Sequence, residues 1–571
     1  MLTTLAAPAF AGTWYIEDGD ITISAGTKAG TNKVEQVGKE TVENDRDTIV
    51  TNRKEDTASS HTVTIDAKDE DDKVEVTLKD VNIEATGGKA AVSVTGSGNT
   101  TIELDGDNKL SGSGAHAALE HNQTVDSERN VTSGKLTIQD DNDKAGSLTA
   151  TGGIQNGAGI GAGGYGVSSG KIEITGGDIT AVGGKSAAGI GGSGYRGNAD
   201  ITISGGTIRA TGGDQAAGIG GGTSGNGKVT ITGDAVIEES IGGSSGAGAG
   251  NATGGAGIGG GEKGSGDVTI TGGEITSATG GKYGAGIGGG EYSSGKVTIE
   301  GNTEVNAAGG TGGAGIGGGY GAKNNSNSTG NQITIRSNEN GSPTVNAVGG
   351  GTKKGIADIG GAGIGAGGDS TATTDITLEG KVTINATAGK DNAAIGANGI
   401  EQEFPGLAGG TSITRKDSDK NDIPPLPGDN VPTPSGGDTA GGGSTGGGSA
   451  GGDSTGGGST GGGSADTSVQ ESVFPGLVVT DKDGQRISYT SIRGNNVLSL
   501  RVGRFTASFR ISLAALRQLR AEGIDTITFQ TILCSTTLSV DELLAMGGED
   551  AEVVLTHHIR SSTLTVGGKA V

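Results

Sequence analysis

The sequence predicts a mainly β protein: a right-handed parallel β-helix of about 12 coils with three faces, then a small C-terminal α+β domain on a flexible linker. Three observations predict this architecture. Glycine makes up 121 of the 571 residues, the segment Ala-Gly-Ile-Gly or a close variant recurs eight times, and runs of alternating aliphatic and polar residues separate the copies. Repetition at a near-constant period is typical of a solenoid, whose repeats pack only against their neighbours.

Residues 1–11 are interpreted as the remainder of a secretory signal peptide. They are apolar and end in Ala9-Phe10-Ala11, which matches the small-residue cleavage signature of such peptides. The basic region and most of the apolar core are missing, so we expect a longer leader upstream; an ordinary chain terminus is the alternative. No later stretch approaches the roughly 18 apolar residues of a membrane-spanning helix. The prediction is a secreted or cell-surface protein without membrane insertion.

Residues 12–407 are predicted to form the β-helix. The repeat isoleucines are separated by 29 to 48 residues, and they are Ile160, Ile190, Ile219, Ile258, Ile287, Ile316, Ile364 and Ile395. One copy, GAGIGGG at 284–290, also fits the dinucleotide-binding pattern G-x-G-x-x-G. Because a single cofactor site does not need eight copies, the repeat explanation is preferred.

Each repeat contains two short β segments besides the isoleucine segment. In the first segment aliphatic residues alternate with Thr, Glu or Lys, as in Ile172 and Ile174, so that alternate side chains point inward. The second segment supplies a further inward residue, such as Ile179. Proline would remove ladder donors, and between Gly12 and Ile400 only Pro343 occurs. Residues 61–112 show the same alternation and are predicted to form earlier coils, with residues 12–60 capping one end.

Residues 408–470 are predicted to be a linker, first proline-rich and then Gly/Ser-rich, which cannot bury a core. Residues 471–571 have the composition of a small α+β domain. A hairpin is predicted around Asp483-Gly484, and a helix after Ser512 whose apolar stripe is Leu513, Leu516 and Leu519. A second helix is predicted after Ser539, which forms a capping box with Glu542.

Charge and composition exclude several classes of function. The net charge of −24 repels nucleic-acid phosphates, so no nucleic-acid partner is expected. Cys534 is the only cysteine, which excludes an intrachain disulfide. A glycan-cleaving site would need clustered aspartates on one face or two carboxylates that flank the scissile bond, and no acidic pair recurs in register. The adjacent His557 and His558 are predicted to point to opposite faces of a strand. A non-catalytic protein is predicted, with a polysaccharide lyase as a remote alternative.

Four tyrosines are the candidate carbohydrate-binding residues. Tyr165, Tyr195 and Tyr292 each follow a repeat isoleucine by five residues, and Tyr320 follows Ile316 by four. In stacked coils these rings would come from the same turn and form a ladder that is interrupted after Ile219 and Ile258. Tyrosine has an apolar body and a polar tip, which suits packing on sugar rings. The alternative is that the rings cover glycine-rich backbone.

Two acidic clusters are candidate calcium ligands, because calcium takes six to eight oxygen ligands. They fall in predicted turns and comprise Asp69, Asp71 and Asp72 in one, and Asp140, Asp141 and Asp143 in the other. The alternative is that both are solvated turns. The calcium-binding nonapeptide repeat is excluded, since Ile or Gly stands where its aspartate would be.

Several segments carry a resemblance to a known family. DGDITI (18–23), VTLKDVNIEA (76–85), TIELDGDNKLSG (101–112) and the AGIGGG repeats resemble secreted parallel β-helix proteins of anaerobic Gram-positive bacteria, commonly called carbohydrate-binding-domain-containing proteins. The resemblance covers about residues 14–400. It implies a cell-surface β-helix that binds calcium and plant-wall polysaccharides such as pectin and cellulose.

The expected function is therefore that of an exported, non-catalytic protein whose partner is a polysaccharide or other glycan. Calcium is the one cofactor that the sequence suggests. The alternative is a structural or adhesive cell-surface stalk. The C-terminal domain resembles modules appended to other surface proteins of gut bacteria, and its partner is unidentified.

Overall fold

The computed structural model describes residues 12–142, 145–245, 253–324, 330–352, 358–427 and 429 of a first compact unit. In a second unit it describes residues 477–480, 486, 490–494, 496–502, 507–531, 535–546, 551–557, 562–567 and 569–570. Residues 1–11, Asp143, the hairpin tip at Asp483-Gly484, His558 and most of the predicted linker lie outside these ranges.

The regular elements among the described residues of the first unit are short strands and one 3-10 turn at Ile16–Asp18. In chain order the strands described are β1 (Thr13–Tyr15), β2 (Ile21–Ala25), β3 (Asn32–Gln36), β4 (Val42–Asp45), β5 (Ile49–Thr51), β6 (Val63–Ala67), β7 (Lys73–Lys79), β8 (Asn82–Glu84), β9 (Val92–Gly96), β10 (Asn99–Ser111), β11 (Leu119–His121), β12 (Lys135–Gln139), β13 (Gly146–Thr151), β14 (Ile160–Gly161), β15 (Lys171–Ile174), β16 (Asp178–Val182), β17 (Ile190–Gly191), β18 (Ala199–Ile203), β19 (Thr207–Thr211), β20 (Ile219–Gly220), β21 (Gly227–Ile231), β22 (Val236–Ile241), β23 (Ile258–Gly259), β24 (Gly266–Ile270), β25 (Glu274–Thr279), β26 (Ile287–Gly288), β27 (Gly295–Glu300), β28 (Glu304–Ala308), β29 (Ile316–Gly317), β30 (Asn331–Arg336), β31 (Thr344–Val348), β32 (Ile364–Gly365), β33 (Thr374–Glu379), β34 (Thr383–Thr387), β35 (Ile395–Ala397), β36 (Ile400–Glu401), β37 (Ser412–Lys416) and β38 (Asp422–Ile423).

These strands form long parallel sheets in a β-helix-like arrangement, so the prediction of a mainly β repeat protein is confirmed. The pairings follow three ladders. Ladder 1 runs from β10 through β12, β15, β18, β21, β24, β27 and β30 to β33; ladder 2 runs from β10 through β13, β16, β19, β22, β25, β28, β31 and β34 to β37; ladder 3 runs from β6 through β9, β11, β14, β17, β20, β23, β26, β29 and β32 to β35. Strand β10 belongs to both ladder 1 and ladder 2, which joins them into one sheet of 23 strands beside a sheet of 15.

The interior is a stack of aliphatic side chains in register. In ladder 3 the eight repeat isoleucines pair with one another from coil to coil, and each is fully buried. In ladder 1 the inward pair Ile172 and Ile174 lies against Ile201 and Ile203 of the next coil. In ladder 2 Ile179 lies against Ile208. The predicted period of two therefore places the aliphatic residues inside, where their burial stabilises the stack.

Both ends of the stack are covered by antiparallel strands. At the N-terminal end β3 and β4 extend ladder 3 beyond β2, within the range predicted to cap the helix. The indole N–H of Trp14 donates to the Asp45 carboxylate at 2.9 Å. At the other end β36 and β38 pair antiparallel with β35 and β37. Such ends reduce the number of unpaired strand edges that would otherwise invite aggregation.

The stack extends beyond residue 407, where the sequence predicts that the repeats end and the linker begins. Strand β37 continues ladder 2, with Ile413 beside Ile384 and Arg415 beside Ala386. The predicted boundary is too early because the inward position after Ile413 holds a charged residue, so the alternation does not read as a strand. The Arg415 side chain is 2% exposed, and its charge is compensated by Glu401 and Asp429.

The second unit combines short strands with two helices among its described residues. Its strands are β39 (Leu477–Thr480), β40 (Thr490–Gly494), β41 (Val497–Arg501), β42 (Ala507–Ser512), β43 (Thr526–Gln530), β44 (Ser535–Ser539), β45 (Glu552–His557), β46 (Ser562–Val566) and β47 (Lys569–Ala570), and its helices are α1 (Leu513–Ala521) and α2 (Val540–Ala545). Helix α1 follows Ser512 as predicted: the Ser512 hydroxyl accepts the Ala515 N–H at 3.2 Å, and the predicted leucine stripe is buried. Ser539 likewise accepts the Glu542 N–H at 3.4 Å.

Candidate functional site

A recurring turn follows each isoleucine segment of ladder 3, and we call residues four to eight after the repeat isoleucine the exit turn. The residue five positions after the repeat isoleucine adopts a left-handed backbone at Tyr195, Ser224, Lys263 and Tyr292, with φ between 59° and 63°. Because the same backbone recurs in successive coils, side chains at this position share one edge of the stack. After Ile316 the left-handed residue is Gly321, at φ 64°. Tyr320 therefore occupies the preceding position, as its different spacing in the sequence suggests.

Tyr165 and Tyr195 form a stacked pair on this edge. Their ring centroids are 4.3 Å apart and the ring planes differ by 23°. Their exposed fractions are 69% and 45%. Stacking covers the two faces that the rings turn toward each other, so a ligand would meet the outer face of either ring, the ring edges and the hydroxyl groups.

Tyr292 lies on the same edge, three coils beyond Tyr195, and is 43% exposed. Its ring passes close to Gly321, where an added Cβ would lie 3.0 Å from Tyr292 Cδ1. Lys263 of the preceding coil places its Nζ 5.9 Å from the ring centroid. The coils between Tyr195 and Tyr292 carry Ser224 and Lys263 instead of tyrosine, so the predicted ladder is interrupted where the sequence indicates.

Tyr320 is less exposed than the other three tyrosines because its ring and its hydroxyl both contact other residues of the protein. Its ring packs on the buried Tyr283 with centroids 5.1 Å apart, and its hydroxyl donates to the Asp369 carboxylate. Burial and this carboxylate together raise the pKa of Tyr320. Tyr320 thus has both its ring and its hydroxyl engaged within the protein.

Sequence reasoning missed two buried carboxylates in the exit turns. Glu262 and Glu291 each lie four residues after a repeat isoleucine, on adjacent coils, and are 5% and 2% exposed. Lys263 Nζ lies 2.7 Å from Glu262 Oε1. The Tyr292 hydroxyl bonds the Glu291 carboxyl group, whose Oε2 has no hydrogen-bond partner among the described residues. The shared spacing from the repeat isoleucine is the signal that could have revealed this pair.

Burial raises the pKa of Glu291 to about 7, and the nearby Glu262 carboxylate adds to the shift. The Tyr292 hydrogen bond and the charges of Lys263 and Lys282 act in the opposite direction. The Glu291 carboxyl group is therefore neutral in the folded protein under mildly acidic conditions. Near neutral pH it becomes charged, and the buried carboxylate then lacks the hydration that it would have in water.

This shift predicts a stability that falls as pH rises. The Glu291 carboxyl group loses its proton near pH 4.5 in the unfolded chain and near pH 7 in the folded protein. The contribution of this group to the free energy of unfolding is therefore fully present below pH 4.5 and is lost by about pH 7. We expect Glu291→Gln to remove about 1 to 3 kcal/mol of this pH dependence. The measurement is denaturant unfolding from pH 4 to pH 8. Glu128→Gln, which changes an exposed carboxylate in a loop, should keep the wild-type profile, and an unchanged profile in Glu291→Gln would contradict the assignment.

A groove of about 340 Å³ lies where the exit turns lead into ladder 1. Successive coils contribute Asn198, Asn226, Ser265 and Ser294 to it, followed by Lys228, Asp267 and Lys296 of the adjoining strands. Asn198, Asn226, Ser265 and Ser294 follow the left-handed residue of their turns by two or three positions. The groove thus runs across several coils beside the edge that carries Tyr195 and Tyr292.

The predicted calcium ligands lie in turns at two different corners of the stack. Between β6 and β7, Asp72 Oδ2 accepts the Asp69 N–H at 3.0 Å, and Asp71 is exposed. Between β12 and β13, Glu103 Oε1 accepts the N–H groups of Asp141 and Asn142 at 3.0 and 3.1 Å, beside Asp140. In the part of the chain that the structure describes, no group of three or more His, Cys, Asp or Glu is placed to hold a metal ion. Asp143 lies outside that part.

His557 is fully buried, packs on Phe529 and hydrogen-bonds Thr536 Oγ1 at 2.9 Å. No helix among the described residues is both long and apolar enough to cross a membrane. Comparison of the chain with protein-family models, with curated proteins and with solved structures yields no match.

Proposed function

We propose that the protein is an exported, non-catalytic surface protein that binds a polysaccharide or other glycan. In this proposal the parallel sheets form a right-handed β-helix of about 12 coils with three faces, and the exit-turn edge contacts the ligand. The observation that carries it is that three exposed tyrosine rings, Tyr165, Tyr195 and Tyr292, each follow a repeat isoleucine by five residues and lie on one edge of the stack.

The chemistry of this edge suits sugars. A tyrosine ring offers an apolar face to the C–H groups of a pyranose, and its hydroxyl exchanges hydrogen bonds with the sugar. Tyr165 and Tyr195 each keep an outer face, and Tyr292 is backed by Gly321 and Lys263. Calcium, the candidate cofactor, enters the proposal as a condition to vary: Asp72 caps a backbone N–H group in the first acidic turn, and Glu103 caps two in the second.

A second candidate function is that of a structural or adhesive stalk, and the outer surface of the stack supports it. In ladder 2 the amide groups of Asn306, Asn346 and Asn385 bond one another from coil to coil at 2.9 and 2.8 Å. In ladder 1 Lys228 pairs with Asp200, and Lys296 with Asp267. Such columns strengthen the stack along its length without a ligand.

The tyrosine edge gives the test that separates the two functions. We expect the full-length protein to bind at least one immobilised glycan among pectins, cellulose and mucin glycans, with calcium or with a chelator. The triple change Tyr165→Ala, Tyr195→Ala and Tyr292→Ala should weaken that binding at least about tenfold, or about 1.4 kcal/mol, because each substitution removes an apolar ring face that a sugar would cover.

Tyr15→Ala is the matched control. Tyr15 is a partly exposed tyrosine of the first coil whose ring packs on the Arg53 guanidinium at 4.2 Å, far from the exit turns in the chain. Its loss should leave glycan binding unchanged. If the wild-type protein binds none of the glycans in either condition, the stalk becomes the better description.

A further inference from the structure

We propose that the groove beside the exit turns is the ligand-binding site, and that it binds an uncharged linear polysaccharide that lies parallel to the stacking direction. The proposal rests on the proposed glycan-binding function and adds the site, the orientation and the charge class of the polymer. The groove is lined by Asn198, Asn226, Ser265 and Ser294 of four successive coils.

The first observation that indicates a binding site in the groove is the unpaired hydroxyl of Ser294. Its side chain is 2% exposed, and its Oγ has no hydrogen-bond partner among the described residues. A buried hydroxyl without a partner is costly, at about 1 to 3 kcal/mol. The neighbouring hydroxyl of Ser265 is bonded to Ser293 Oγ at 2.9 Å, so Ser294 is the hydroxyl that a ligand group would satisfy.

The second observation is the orientation of the Asn198 and Asn226 side-chain amides. Each uses Oδ1 to accept the backbone N–H of the next coil, from Asn226 and Ser265 respectively, both at 2.8 Å. These bonds fix the amide planes, while the Nδ2 groups have no acceptor among the residues that the structure describes. Two exposed amide donors are thereby held in fixed orientations, one coil apart.

The part of the groove formed by ladder 1 is electrically balanced. Lys228 Nζ lies 3.2 Å from Asp200, and Lys296 Nζ lies 3.3 Å from Asp267. Each lysine is thus paired with an aspartate of the neighbouring coil, and the whole chain carries a net charge of −24. A polyanion such as a polyuronate would find no excess positive charge here, whereas the hydroxyl groups of an uncharged sugar can bond amides, hydroxyls and ion pairs alike.

The repeat of the groove favours a polymer of pyranose rings. Equivalent positions recur at each coil, about 4.8 Å apart, so the four coils span about 14 Å. An extended peptide advances only about 3.3 Å per residue and would lose register with the coils. A pyranose ring linked through opposite positions advances by a distance closer to one coil, so successive sugars meet equivalent positions of the groove.

The test uses the full-length protein with three soluble probes: mixed-linkage β-glucan, galactomannan and polygalacturonate. Titration calorimetry should show binding to an uncharged probe. The double change Asn198→Asp and Asn226→Asp keeps the oxygens that cap the next coil and replaces both amide donors by carboxylate oxygens, which adds two negative charges. Because the probe is uncharged, these charges do not repel it, and binding should weaken at least about tenfold with the melting temperature unchanged. Asn340→Ala, in an exposed loop, should bind like wild type.

Ser294→Ala distinguishes a binding role from a structural one. Removing an unpaired buried hydroxyl should leave thermal stability unchanged or raised, while uncharged-probe binding weakens about threefold to tenfold. Binding that survives both groove variants would overturn the site but leave the proposed function standing. Binding of polygalacturonate alone would overturn the proposal that the polymer is uncharged. A wild-type protein that binds no probe would overturn both the groove proposal and the proposed glycan-binding function.

Discussion

Gly288→Ala is expected to lower the free energy of unfolding of the first unit by about 3 kcal/mol or more, or to prevent folding. Gly288 ends strand β26 with φ at +131°, where side chains are rarely accommodated. A Cβ there would lie 2.1 Å from the carbonyl oxygen of Gly317 in the next coil. Strain and overlap add, because the backbone of the neighbouring coil cannot withdraw without breaking the ladder.

Denaturant unfolding followed by circular dichroism and by the fluorescence of Trp14, the only tryptophan, measures this effect. Gly351→Ala is the matched control, since a Cβ at Gly351 would meet nothing within 4 Å. That substitution should be neutral or slightly stabilising, because alanine restricts the unfolded chain. A Gly288→Ala midpoint within error of wild type would show that the coils can separate to admit a side chain.

The glycines illustrate why the repeats are predictable from the sequence. The recurring isoleucine gives the period, and the alternating aliphatics give the faces that point inward. The glycine after each isoleucine then marks a place with no room for a side chain, as Gly288 and Gly317 show. Each of these signals is local and repeated, so one coil supports the interpretation of the next.

The candidate site was predictable only in part. The five-residue spacing placed Tyr165, Tyr195 and Tyr292 on one edge, and the four-residue spacing set Tyr320 apart. The stacking of Tyr165 on Tyr195 and the buried Glu262 and Glu291 depend on how turns of adjacent coils fit together. No single repeat of the sequence contains that information. The groove likewise combines residues from four coils.

The sequence pattern did not predict where the stack ends, because the last coil contains a buried charged residue. Arg415 occupies an inward position and is buried against Asp429, while its Nε lies 3.2 Å from Glu401 Oε2. The guanidinium also donates to the Gln402 carbonyl oxygen at 2.9 Å and lies 5.8 Å from the ring centroid of Phe404. A charged residue at such a position needs compensating partners, and those of Arg415 come from residues 401–429.

Arg415→Ala is therefore expected to destabilise the last coil by about 3 to 5 kcal/mol, because it leaves the Asp429 carboxylate buried and unpaired. The loss should appear as faster hydrogen exchange of the β34 and β37 amides, since a solenoid opens from its ends. Lys416→Ala breaks the exposed pair with Asp422, 2.8 Å apart, and should cost less than about 1 kcal/mol. Replacing Asp429 by Asn in the Arg415→Ala protein should restore part of the stability, because it removes the uncompensated charge. Equal exchange in the Arg415→Ala and Lys416→Ala proteins would mean that the buried ion pairs do not hold this end closed.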